Sequence, residues 1–173
     1  MKPYNFNQHK HNYATWTSAR AVQRGFTTTS RIKKAIESSE LRQYSEGFLD
    51  YTLTEFDAFH KICSYQIIKS FEEQGLGKVA YGRVAKIISI YLKTTVILCN
   101  QGNCDRSKII HPPIDNILLV NISKLKGLGS LKKIRWTQLD ENEYWDLIAK
   151  LKSHFLVIDW RLEEFWTPEL NDE

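Results

Sequence analysis

The stretch from about Lys78 to Cys99 constrains the fold more than any other part of the chain. Stepping about 100° per residue spreads Val84, Ile87, Ile88, Tyr91, Leu92, Thr95, Val96, Leu98 and Cys99 over an arc of about 180°. An apolar arc that wide suits a helix covered on several sides, so the pattern predicts a central helix with others packed around it. Arg83, Lys86 and Lys93 gather in a narrow stripe along the same helix. A charge buried without a partner costs several kcal/mol, so the stripe needs water, a counter-charge or an anionic ligand. It reads either as the solvent face of an amphipathic helix or as one wall of a polar cleft for a phosphate-containing ligand.

Helical signals recur on both sides. Trp16, Ala19, Val22 and Phe26 share one face until Gly25 interrupts, and Thr27 to Ser30 supply N-cap candidates for a helix from about Ser30 to Ser38. Thr52 and Glu55 have capping-box spacing ahead of a long helix carrying Phe56, Phe59, Cys63, Ile67 and Phe71, closed by Gly75 and Gly77. Pro112-Pro113 is expected to open a helix over about Ile114 to Lys124. Asp140 and Glu143 repeat the capping spacing before Tyr144, Leu147, Ile148 and Leu151. Phe155 to Ile158 suits a short strand or the approach to a helical turn capped by Asp159, and the turn is preferred. Without alternating strand and helix signals, the sequence predicts an all-α fold, a single-domain bundle of about six helices around a central helix near 78–99. Residues 1–12 are expected to be a flexible polar tail and 13–173 one helical domain.

With 173 residues the chain is long enough to bury a core without disulfide or metal staples. Lys and Arg number 24 against 20 Asp and Glu, a net charge of +4 that permits a polyanionic partner without demanding one. The opening residues lack the apolar run of a secretory signal, no segment is apolar enough to span a bilayer, and three cysteines form no disulfide framework. These features predict a cytoplasmic protein with no membrane contact.

Arg20 and Arg24 lie four apart with Trp16 one turn earlier, and guanidinium forks recognise phosphate well. The alternative is that Trp16 packs into the core and the arginines cover it with their stems. Gly75-Leu76-Gly77-Lys78 precedes the central helix, whose free N-H groups suit an anion, but Glu72 and Val79 stand where a P-loop needs glycine and a hydroxyl. His60 with Cys63, and Cys99 with Cys104, do not make a zinc pattern, so neither metal nor cofactor is expected. Trp136, Tyr144, Trp145, Trp160, Phe165 and Trp166 enrich the last third in aromatics, which stack on bases but more commonly build cores and interfaces.

Arg106 and His111 are separated by four residues. A histidine moves protons near neutral pH and an arginine stabilises charge growing on a phosphorane-like transition state, so the two suit metal-free RNA cleavage. Here the chain resembles HEPN-type ribonucleases, helical proteins whose active pair is an arginine followed a few residues later by a histidine. That resemblance implies catalytic roles for Arg106 and His111; the bland alternative is a structural histidine anchoring the diproline turn. A broader resemblance, in patches from about Trp16 to Trp166, is to an uncharacterised group of small all-helical bacterial proteins. It is carried by Tyr81-Gly82-Arg83 with Lys86, by Tyr91-Leu92-Lys93-Thr94, by His111-Pro112-Pro113-Ile114-Asp115 and by the Glu164/Trp166 end. It implies no activity, but it marks the same cations, histidine and carboxylate.

Together these readings predict that Arg83, Lys86 and Lys93 line a cleft completed by Arg20, Arg24, His111 and Asp115, which takes RNA or a nucleotide. Cleavage would follow if Arg106 and His111 converge. The rival is a non-catalytic protein-interaction or homodimerisation module that buries its aromatic C-terminal third.

Overall fold

The computed structural model describes residues 4–49 and 51–167, and among them there are helices and turns but no strand. The α-helices are α1 (Phe6–Val22), α2 (Thr29–Glu37), α3 (Leu41–Ser45), α4 (Leu53–Glu73), α5 (Tyr81–Leu92), α6 (Asn116–Ile122) and α7 (Glu141–Phe155). The fold is all-α, as the periodicity predicts. None of the helices is long and apolar enough to cross a membrane.

α5 holds the centre because it is apolar almost all round. Val84, Ile87, Ile88, Tyr91 and Leu92 enter a cluster built with α1, α2 and α4, whereas Tyr81 and Ala85 enter a second one built by α6, α7 and the turns between them. Backbones meet closely at Gly82, whose N-H donates to Leu139 O at 3.0 Å while a Cβ there would sit 1.9 Å from Trp136 O.

The expected capping boxes form. Glu55 Oε2 accepts from Thr52 N at 2.8 Å, and Glu143 Oε2 accepts from Asp140 N while Asp140 Oδ1 accepts from Glu143 N, both at 2.9 Å. Asp159 accepts from Arg161 N and caps a 3-10 turn over Trp160–Phe165, the preferred reading of that segment.

Other boundaries differ from expectation. The stretch expected to be a tail is helical from Phe6, because Asn5 caps the helix by accepting from Gln8 N and because His11 is buried against Tyr91. α3 is an additional short helix. Regular α-geometry in the central helix stops at Leu92 and gives way to a π-turn over Lys93–Ile97. There the hydroxyls of Thr94 and Thr95 donate to the carbonyls of Ile90 and Tyr91, four residues back, competing with the backbone ladder. α6 begins after the diproline rather than on it, since Asp115 Oδ1 accepts from Leu118 N at 3.0 Å and sets the cap.

Candidate functional site

Each member of the cationic stripe meets a partner from elsewhere in the chain. Arg83 Nη1 donates to Val22 O at 3.1 Å, and its guanidinium lies 4.9 Å from the Phe26 ring centre. Lys86, only 7% exposed, has its Nζ 2.8 Å from Asp115 Oδ2 and 4.6 Å from the centre of the Trp136 ring. Trp166 Nε1 donates to the same Asp115 oxygen at 2.8 Å. Lys93 forms an ion pair with Glu163, delivered by the C-terminal turn. Burial draws the Lys86 ammonium below its ordinary range, opposed by the charges of Asp115 and Glu163. Burial pushes the Asp115 carboxyl up, but Lys86, the Leu118 N-H and Trp166 more than offset it and hold the group below the usual carboxylate range. Lys86 and Lys93 are therefore neutralised by carboxylates that the chain itself supplies, whereas Arg83 is held by a backbone carbonyl and a ring, so the three do not line one cationic cleft. Lys86 and Asp115, expected to line one ligand cleft, come together as an ion pair, and Glu163 and Trp136 are partners that sequence spacing did not reveal.

His111 is 1% exposed and belongs to a buried aromatic cluster. Its Nδ1 lies 3.2 Å from the Tyr144 hydroxyl, and Phe56 packs edge-on against the ring at 5.4 Å. Its Nε2 is 3.1 Å from Asp57 Oδ1 but too poorly aligned for a straight hydrogen bond. His60 stacks on Tyr144 with ring centres 5.4 Å apart, and its Nδ1 lies 3.1 Å from the Tyr81 hydroxyl. Burial lowers both histidines, His60 well below its ordinary value, and so keeps them neutral. Burial raises the Asp57 carboxyl, yet the His111 and Lys152 nitrogens beside it prevail and bring it down to about 2.

Arg106 is engaged elsewhere. It sits in a 3-10 turn over Asp105–Lys108, donates to Tyr44 O, and lies 5.5 Å from the Tyr44 ring centre. Arg106 is held by Tyr44 and His111 by Tyr144 and Asp57, so the two side chains are engaged on different partners and not poised as the pair implied by the ribonuclease resemblance. The reason is local: the arginine is held by a carbonyl of α3, and the histidine by α4 and α7. No group of three or more His, Cys, Asp or Glu suited to a metal ion occurs among the described residues, and the three cysteines are free thiols.

At the N-terminus of α5 a groove of about 540 Å³ is lined by Lys78 and Arg83 but also by Asp140, Glu141 and Glu143. Three carboxylates against two cations make it a poor anion cradle.

Arg20 and Arg24 lie on the outside, and neither has an ion-pair partner among the described residues. Trp16 is 51% exposed and stacks on Tyr13 with ring centres 6.0 Å apart. The reading in which Trp16 fills the core is therefore corrected: α1 buries Ala14, Ser18, Ala19 and Val22, which turns positions 13, 16 and 20 outward together. Phe6 and Tyr13 extend this edge, and their seven-residue spacing was the signal for it. No Asp or Glu occurs before Glu37, whereas seven of the 24 Lys and Arg do. The aromatics of the last third turn mainly inward: Tyr144 is buried, and Trp136, Trp145, Trp160 and Phe165 are partly buried, leaving Trp166 the most exposed.

Compared with known protein families, curated proteins and solved structures, the chain shows no match.

Proposed function

We propose that this protein binds single-stranded RNA in the cytoplasm, along the outer edge of α1, without cleaving it. The observation that carries this reading is the exposed Tyr13–Trp16 stack on the edge of α1 that leads to Arg20 and Arg24, two exposed arginines with no ion-pair partner among the described residues. Stacked indole and phenol rings offer flat faces to unpaired bases, and free guanidinium groups take the phosphates between them. Engagement of all three stripe cations by groups of the chain itself favours a ligand contact on the surface helix over one on the buried helix. Binding without cleavage is favoured because His111 is buried and Arg106 is held by a backbone carbonyl.

The test is a titration of labelled single-stranded RNA across salt concentrations. Base stacking contributes about 1–3 kcal/mol per base, so Trp16→Ala should weaken binding about ten-fold or more. The Arg20→Ala/Arg24→Ala variant should lower the salt slope by about 0.7 for each phosphate it no longer neutralises. Unchanged affinity in both variants refutes the proposal. A protein that instead dimerises through the same edge would show it as a concentration-dependent mass in light scattering.

A further inference from the structure

Residues 123–135 carry Lys124, Lys126, Lys132, Lys133 and Arg135 and no Asp or Glu. With the acid-free opening of the chain, this short stretch concentrates much of the positive charge of a molecule whose net value is only +4. Such a run would be ordinary in a floppy tail, but here it is built into the fold. Leu128 and Leu131 are 2% and 0% exposed and fix the segment into the second apolar cluster. Leu128 N donates to Leu125 O at 3.2 Å, and Leu131 N donates to Leu128 O at 2.9 Å, closing successive tight turns. Gly127 holds a left-handed φ of +86° that a residue with a Cβ would adopt at a cost. All five cations are exposed, and none forms an ion pair among the described residues. Lys150 reaches across from α7, its Nζ donating to Ser130 Oγ at 2.8 Å, and adds another positive group beside them.

Two features say what such a surface can hold. Nothing lies within 4 Å of where a Cβ would stand on Gly127 or Gly129, so a phosphodiester chain can approach the backbone closely there. The exposed residues of the segment include no aromatic ring, so it can grip phosphates but cannot stack on bases. Glu143 and Asp146 border the neighbouring cleft on the α7 side and repel an anion from it, leaving the glycine side as the approach.

We infer that the 124–135 segment, a run of turns leading into a 3-10 helix over Gly129–Lys133, is a second nucleic-acid contact, one that docks the sugar-phosphate backbone of a duplex without reading its sequence. It extends the nucleic-acid reading to a new ligand class but does not need the α1 edge, since a duplex hides the base faces that Trp16 would stack on.

The experiment is fluorescence anisotropy of the full chain with a labelled duplex of about 20 base pairs and with single-stranded RNA, each over a range of salt. Lys126→Ala/Lys132→Ala/Lys133→Ala should weaken duplex binding at least ten-fold and lower the salt slope by about 0.9 for each phosphate left without its lysine. Arg31→Ala/Lys69→Ala/Lys78→Ala removes the same charge from scattered exposed positions that form no ion pair among the described residues and should change duplex binding far less. Thermal unfolding should be the same for wild type and both variants, because every replaced side chain is exposed. Failure of the wild type to bind duplex, or equal losses in the two triple variants, overturns this inference. A wild type that binds single-stranded RNA through Trp16 but no duplex sinks the 124–135 contact alone, whereas duplex binding together with silent Trp16→Ala and Arg20→Ala/Arg24→Ala variants sinks the α1 reading alone.

Discussion

Replacing Lys86 by methionine would leave the largely covered Asp115 carboxylate with its principal counter-charge gone. Breaking a buried pair from one side costs about 3–5 kcal/mol, so Lys86→Met should show a loss of that size in urea unfolding. Lys86→Met/Asp115→Leu removes both charges and should lie closer to wild type than either single variant. The histidines give a second residue-scale expectation. His60 and His111 are neutral in the fold because of burial, while in the unfolded chain each takes up a proton near its ordinary value of 6.5. The unfolded state then binds more protons, so their contribution is fully present above pH 6.5 and is lost as pH falls through that value towards the lowered native ones. Tm should drop between about pH 7 and pH 5, and His60→Phe should flatten part of that drop; an identical slope in the variant refutes the assignment. Gly82→Ala must push a methyl against Trp136 O and should cost about 3 kcal/mol, read by denaturant unfolding.

At the scale of elements, local chemistry set most boundaries, and that chemistry is written in short spacings. Thr52 with Glu55, and Asp140 with Glu143, cap the helices their spacing predicts, and Asp140→Ala should cost about 1 kcal/mol measured by thermal or urea unfolding. Boundaries failed to be legible where a side chain acted against the apolar period. Thr94 and Thr95 lie within a continuous helical pattern, yet their hydroxyls draw the backbone into a π-turn. The polar residues before Asn12 carry no apolar stripe, and α1 extends through them because His11 finds Tyr91, eighty positions away. Asp115, expected from the sequence to contact a ligand, pairs with Lys86 and at this scale also begins α6.

At the scale of the whole molecule, α5 is shared by two apolar clusters, so neither half can lose its packing without disturbing the other. Unfolding followed by tryptophan fluorescence and by far-UV circular dichroism should therefore give one coincident transition; two separated transitions would show that the halves fold independently. The amphipathic periods, the caps and the absence of alternating strands determined an all-α architecture from the sequence alone, because those signals act between residues a few positions apart. Which cations remain free was decided only by tertiary structure. Arg83, Lys86 and Lys93 are alike in the sequence to Arg20 and Lys132, and only the long-range arrival of Val22 O, Asp115 and Glu163 takes the first three out of use. Charge is a property of one residue, but its neutralisation depends on which distant groups folding brings within a few ångströms.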